Sequence, residues 1–266
     1  GNEATISLVD SYTPSVKTGI QLLVSKKEIL QKALNMIREG MEKKDGRFSN
    51  LSVIDLNFGC PSPEIINIGH GPALLKRTAK MKELLTTLRK ESSLPCGIKI
   101  RLGLNEAEKN HKVYLRIIEI ANEVGLDYVT VHAKTAADAS TAPIDWKALQ
   151  EIIAKARIPI VGNGLVVDGP SAKRMTDLGC SAVMLARATV GNPWIFEDIY
   201  TYLRTGKQLQ GEKTAADYNG AWNIYAAIAS KHGTKKKFYD YHQRIFKLRM
   251  QGDKGYHSPL RILEWV

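Results

Sequence analysis

Along the first 200 residues, short β-branched or apolar runs alternate with longer segments whose apolar positions recur every three or four residues. The short runs predict strands at Gly19–Val24, Ser52–Asn57, Cys96–Arg101, Tyr128–His132, Ile158–Gly162 and Ala182–Ala186. The longer segments predict helices at Glu28–Lys43, Met81–Lys90, Asn110–Val124, Trp146–Lys155 and Pro170–Leu178. Unbroken apolar strands alternating with amphipathic helices imply a parallel sheet covered by helices. A doubly wound sheet would carry a Gly-rich turn after its first strand, and none is present. A (β/α)8 barrel instead collects function at the C-terminal ends of its strands. Polar residues and glycines gather there, at Asn57-Phe58-Gly59-Cys60, Lys99-Ile100-Arg101, His132, Gly162-Asn163-Gly164 and Ala186-Arg187. The expected fold is therefore a (β/α)8 TIM barrel, of which six strands are identifiable.

After Asn192-Pro193 the strand signal stops, and residues 214–251 read as helix. The expected division is a barrel domain over 1–205 and a small all-helical domain over 206–266. Charge supports the division. Of a net +11, the stretch from Thr201 onward carries +7, with 12 Lys/Arg against 5 Asp/Glu. It also holds 10 of the 19 Phe, Trp and Tyr residues. A basic, aromatic helical segment suits a polyanionic partner; the plain alternative is a solvated helical face. No run approaches the roughly 18 apolar residues of a membrane helix, and Gly1-Asn2-Glu3-Ala4 does not open a secretory signal. Three irregularly spaced cysteines describe neither a disulfide framework nor a zinc site. A cytoplasmic monomer with no metal and no membrane contact is expected.

Among the cysteines, Cys60 stands out. Gly59 permits an unusual turn, and Pro61 keeps Cys60 out of helical conformation. Its thiol either packs in the core or faces a pocket, and the segment 65–75, with Gly69-His70-Gly71, reads as a flexible loop beside it, placed like a lid. Cys96 and Cys180 are assigned to packing. Lys99 and Arg101, two apart on one strand, point to the same side. They are either a solvated strand end or a pair of cations that hold an anionic cofactor or substrate. His132 ends its strand as Cys60 and Lys99 end theirs. In barrels the last two strand-end loops often bind phosphate, which suits Gly162-Asn163-Gly164 and Ala186-Arg187.

Taken in order, these motifs resemble the tRNA-dihydrouridine synthase family. The resemblance is carried by Asp55-Leu56-Asn57-Phe58-Gly59-Cys60-Pro61-Ser62, Gly69-His70-Gly71-Pro72-Ala73-Leu74-Leu75-Lys76, Lys99-Ile100-Arg101-Leu102-Gly103 and Val131-His132-Ala133-Lys134-Thr135. Ile160-Val161-Gly162-Asn163-Gly164 and Met184-Leu185-Ala186-Arg187-Ala188 follow in the family's order. It implies an FMN enzyme that reduces uridine in tRNA with NADPH as reductant. By that resemblance Cys60 is the acid that protonates uracil C5, and Asn57 contacts the target base. Arg101 and Lys134 serve substrate binding, with Lys134 standing where the family usually has Arg. Gln21, Lys99 and His132 are flavin ligands, and Gly162, Asn163, Gly164, Ala186 and Arg187 form the phosphate cradle. Gln21 corresponds to the family's third strand, so two preceding βα units are expected to be missing from this chain. The competing readings are a dihydroorotate dehydrogenase-like FMN barrel acting on a free pyrimidine, and a barrel that binds RNA without catalysis.

Overall fold

The computed structural model describes residues 16–139, 141–209, 211 and 213–251. The N-terminal tetrapeptide and the last 15 residues of the expected helical domain lie outside them. Two compact units divide the chain: Gly1–Gly162 with Gly179–Ala182, and Asn163–Leu178 with Val183–Val266.

In the first unit, β1 (Thr18–Leu22), β2 (Leu51–Phe58), β3 (Cys96–Arg101) and β4 (Tyr128–His132) pair in parallel, each with the next in sequence. With β5 (Ile160–Asn163) and β6 (Ala182–Met184) the sheet has six strands in sequential order. This is an α/β fold of TIM-barrel type.

The ladders align residues into lateral rows. Leu22, Leu56, Ile98 and Val129 form one row, and Phe58, Ile100 and Val131 another. Leu56, Phe58, Ile98, Ile100, Val129 and Val131 on this face are fully buried. Strand pleating sends the alternate residues to the other side. There the rows read Gln21, Asp55, Gly97, Tyr128, then Asn57, Lys99, Thr130, and finally Arg101, His132. One face is apolar, and the other carries most of the sheet's polar side chains.

Amphipathic helices supply matching apolar stripes. In α1 (Lys27–Glu42) Leu30, Leu34 and Ile37 are buried, at the i, i+4, i+7 spacing of one helix face. Met81, Leu84, Leu85 and Leu88 do the same in α3 (Thr78–Glu91), which follows a short α2 (Pro63–Asn67). Next come α4 (Glu106–Asn110), capped by Asn105 Oδ1 at the Glu108 N–H, and α5 (Val113–Val124), which ends on the left-handed Gly125. In α6 (Trp146–Lys155) the Asp145 carboxylate caps the Ala148 N–H. Each of α1, α3, α5 and α6 packs on its neighbour. The second unit holds α7 (Gly169–Leu178), α8 (Ile195–Thr205), α9 (Ala215–Lys231) and α10 (Lys236–Met250); α7 packs on α8 and α9 on α10. A capping box between Thr214 and Asp217 opens α9. No helix among the described residues is long and apolar enough to cross a membrane.

Several expectations need correction. The segment 65–75 is ordered: it contains the end of α2 and a 3-10 turn over Gly71–Leu74, with Gly71, Pro72, Leu74 and Leu75 buried. Its apolar residues find a core, which a loop reading from glycines alone ignores. The helix expected from Asn110 starts at Val113, because Lys112 adopts φ +52° and separates α4 from α5. The last strand stops at Met184, not Ala186, as residues 187–189 wind into a 3-10 turn. Neither α4 nor α8 was foreseen.

Candidate active site

The polar face of the first unit brings together most of the strand-end residues singled out from sequence. Cys60 lies just past the end of β2, partly exposed, in a turn pinned by side chains. Asn57 Oδ1 accepts from the N–H groups of both Gly59 and Cys60 at 3.0 Å. Arg101 Nε donates to the Gly59 carbonyl at 2.8 Å, and its Nη1 reaches the Thr135 carbonyl at 2.7 Å. Arg101 is only 8% exposed and thus ties the β2 and β4 loops together from the strand between them. The 3-10 turn closes on the same place. A Cβ at Gly71 would stand 3.5 Å from the Cys60 carbonyl oxygen, and its φ of +57° suits glycine.

Lys99 sits beside Asn57 in the lateral row, with Thr130 on its other side. Burial, and then the neighbouring Arg101 charge, push its ammonium down to about 8, against the pull of Asp55 and Cys60. Among the described residues, no hydrogen bond or ion pair holds that ammonium. Thr130 is fully buried, and its Oγ1 likewise has no hydrogen-bond partner among them. A half-buried cation and a buried hydroxyl, side by side and without partners among the described residues, fit a ligand that presents an acceptor or a negative charge. His132 ends β4 opposite Arg101. Lys134 is 2% exposed, and its carbonyl accepts the Leu102 N–H at 2.9 Å.

In the row one step further into the sheet, sequence reasoning named Gln21 but missed Asp55 and Tyr128. Asp55 is 6% exposed; its Oδ2 accepts from Gln21 Nε2 and its Oδ1 from the Tyr128 hydroxyl at 3.1 Å. Tyr128 reaches Asp55 by crossing β3 over Gly97, where a Cβ would lie 2.4 Å from its ring. Burial pushes the Asp55 carboxyl up to about 6, opposed by the two hydrogen bonds and the Lys99 charge. Gln21 and Asn57 join the same network, Asn57 Nδ2 donating to Gln21 Oε1 at 2.7 Å. Cys96 and Cys180 are buried, which raises both thiols to about 11.

A model of the family described as Dihydrouridine synthase (Dus) matches residues 2–258. The chain belongs to the dihydrouridine synthase family. It is 33% identical over 162 residues to tRNA-dihydrouridine synthase B of Klebsiella pneumoniae, covering 60% of this chain and 50% of that protein. To the probable tRNA-dihydrouridine synthase of Rickettsia conorii it is 27% identical over 200 residues, covering 75% and 59%. The chain spans about half the length of the curated relatives it matches. Among solved structures, DHODH in complex with ferulenol from Eimeria tenella is similar over 66% of this chain and 56% of that one, with 18% identity and a TM-score of 0.46.

The second unit holds Asn163, Gly164, Ala186 and Arg187, also singled out from sequence in this family member. Asn163 is buried, and its Nδ2 donates to the Met184 carbonyl at 2.9 Å, fastening the end of β5 to the end of β6. Gly164 has φ +111°, open to glycine and strained for other residues. Ala186 and Arg187 lie where β6 gives way to the 3-10 turn, and Gly162 precedes Asn163 as the last residue of the first unit's main segment.

Proposed function

We propose that this chain is the catalytic part of an enzyme that reduces the C5=C6 bond of uridine in tRNA, with FMN as cofactor and NADPH as reductant. The observation that carries the reading is the partly exposed Cys60 thiol, held in a side-chain-pinned turn near the Lys99 ammonium, which no hydrogen bond or ion pair holds among the described residues. Bound flavin supplies hydride chemistry at uracil C6. Cys60 donates the proton to C5, a part that a positioned thiol can take as general acid. Lys99, His132 and Gln21 would hold the flavin ring, where the Lys99 cation would favour the reduced, more negative form. Asn57, Arg101 and Lys134 belong to the substrate side. In the second unit, Asn163, Gly164, Ala186 and Arg187 are suited to a phosphate. A uridine inside folded tRNA is out of reach, so the base is turned outward into the site.

The tRNA backbone is assigned to the helical segment, as a domain beginning near residue 206. Its support is the basic run Lys235-Lys236-Lys237 at the start of α10 and the aromatic cluster of Trp222, Tyr225, Tyr239 and Phe246 that packs α10 on α9.

The test is incubation of the FMN-loaded protein with tRNA and NADPH, followed by mass spectrometry of the tRNA. A gain of two hydrogens at a uridine is expected, and Cys60→Ala should lower the rate by about 10²–10⁴ while flavin stays bound. Full activity in Cys60→Ala would remove the proton-donor role; a chain that takes up no flavin would remove the reading as a whole.

A further inference from the structure

A continuous chain of hydrogen bonds runs from the Cys60 turn to the buried Asp55. The Gly59 and Cys60 N–H groups donate to Asn57 Oδ1, Asn57 Nδ2 donates to Gln21 Oε1, and Gln21 Nε2 donates to Asp55 Oδ2. From the opposite side the Tyr128 hydroxyl donates to Asp55 Oδ1. Every donor in the chain points toward Asp55.

We propose that Asp55 is a positioning residue for Cys60, a carboxylate that fixes the direction of the two amides between itself and the thiol turn. A side-chain amide can be reversed end for end with almost no change of shape, exchanging an acceptor for two donors. Were Gln21 reversed, its NH2 would meet the NH2 of Asn57. Asn57 would then reverse in turn and set donors against the N–H groups of Gly59 and Cys60. A carboxylate forbids this, because it accepts only and would face the Gln21 oxygen with another oxygen. Tyr128 satisfies the second carboxylate oxygen, and Gly97 leaves the space that lets its ring do so. Asp55 anchors the chain at its buried end, and each amide's orientation fixes that of the next, so the constraint reaches the far end. Gln21 from β1, Lys99 from β3 and Tyr128 from β4 are the groups facing Asp55, and all three favour its ionised form. Arg101 holds the Gly59 carbonyl independently, so the relay governs the amide side of the turn alone.

The functional meaning of this relay rests on the proposed role of Cys60, but its test needs neither flavin nor tRNA. The full chain would be alkylated with iodoacetamide at neutral pH, and the label assigned by peptide mass spectrometry. The buried Cys96 and Cys180 report unfolding. Gln21→Met, at an exposed position of β1, breaks the relay while keeping side-chain length. Asp55→Leu removes its end, and Asp55→Asn keeps an oxygen that can accept from Gln21. Loss of the ordering hydrogen bonds should speed Cys60 labelling about three- to tenfold in Gln21→Met and Asp55→Leu, with Asp55→Asn between them and wild type. In the active enzyme the same variants should lower kcat and leave KM for tRNA unchanged. If Asp55→Leu also labels Cys96 and Cys180, Gln21→Met decides. Wild-type labelling rates in a folded Gln21→Met protein would overturn the relay, whatever the enzyme does. Failure of wild type to reduce tRNA would remove the proposed function and leave the relay standing.

Discussion

On one face of β1–β4, Leu56, Phe58, Ile98, Ile100, Val129 and Val131 are sealed from solvent. On the other, Asp55, Asn57, Lys99, Arg101 and Thr130 occupy the same strands at alternate positions. The apolar residues are interchangeable in kind and contribute by volume. The polar ones include a carboxylate pushed up to about 6 and a lysine pushed down to about 8, both signs that the fold disfavours the charge it carries. The contrast teaches that one face of this sheet holds the molecule together while the other is held by it.

The largest expected effect sets neighbours on opposite faces against each other. Ile98→Ala should lower unfolding free energy by about 2–5 kcal/mol in urea titration, as a fully buried side chain leaves a cavity. Lys99→Met, one residue away, should leave stability unchanged or raise it, because it removes a charge that no described residue pairs, while flavin affinity, on the proposed function, falls. Equal losses in the two variants would erase the distinction between the faces.

A smaller effect is expected at Gly97, where the faces meet through a missing side chain. Gly97→Ala forces the Tyr128 ring off its path, at a cost of about 1–3 kcal/mol. In a double-mutant cycle, Tyr128→Ala should recover part of that loss, since the added methyl then has room. Strict additivity of the two changes would show that the ring does not cross over Gly97.

The smallest effect is a pH slope. Folding raises the Asp55 carboxyl from 3.8 to about 6, so the folded chain binds this proton more tightly than the unfolded one. The group therefore adds stability below its unfolded pKa and loses it as pH rises through the folded value. Against Asp55→Asn, wild type should lose about 1–3 kcal/mol between pH 4 and 6, with no further change above. A difference that stays flat over that window would mean that Asp55 is not buried as described.

Much of this was legible in the chain itself. The apolar face alone marks β2, β3 and β4, since Ile54, Leu56, Ile98, Ile100, Val129 and Val131 read as strand whatever lies between them. Cys60, Lys99 and His132 were visible as polar residues at strand ends. Asp55 and Tyr128 were not: both lie inside runs that read as strand, and their meaning depends on a contact between residues 73 apart in sequence. Gly97 carries no local signal, because its need for a small side chain comes from a ring on another strand. The 3-10 turn over Gly71–Leu74 was misread for the opposite reason. Its glycines announced a loop, while burial of Pro72, Leu74 and Leu75 depends on a core assembled elsewhere.

The sequential pairing of β1 to β4 also has a bearing on how the chain acquires its structure. Each strand finds its partner about 30 to 40 residues back, across a single connecting segment, so the sheet can grow one unit at a time as the polypeptide emerges from the ribosome. Under that order the Cys60 turn is synthesised before Arg101 and Tyr128 exist. The ties of the Cys60 turn to Arg101, and of the Asp55 row to Tyr128, can therefore form only once β3 and β4 have been made.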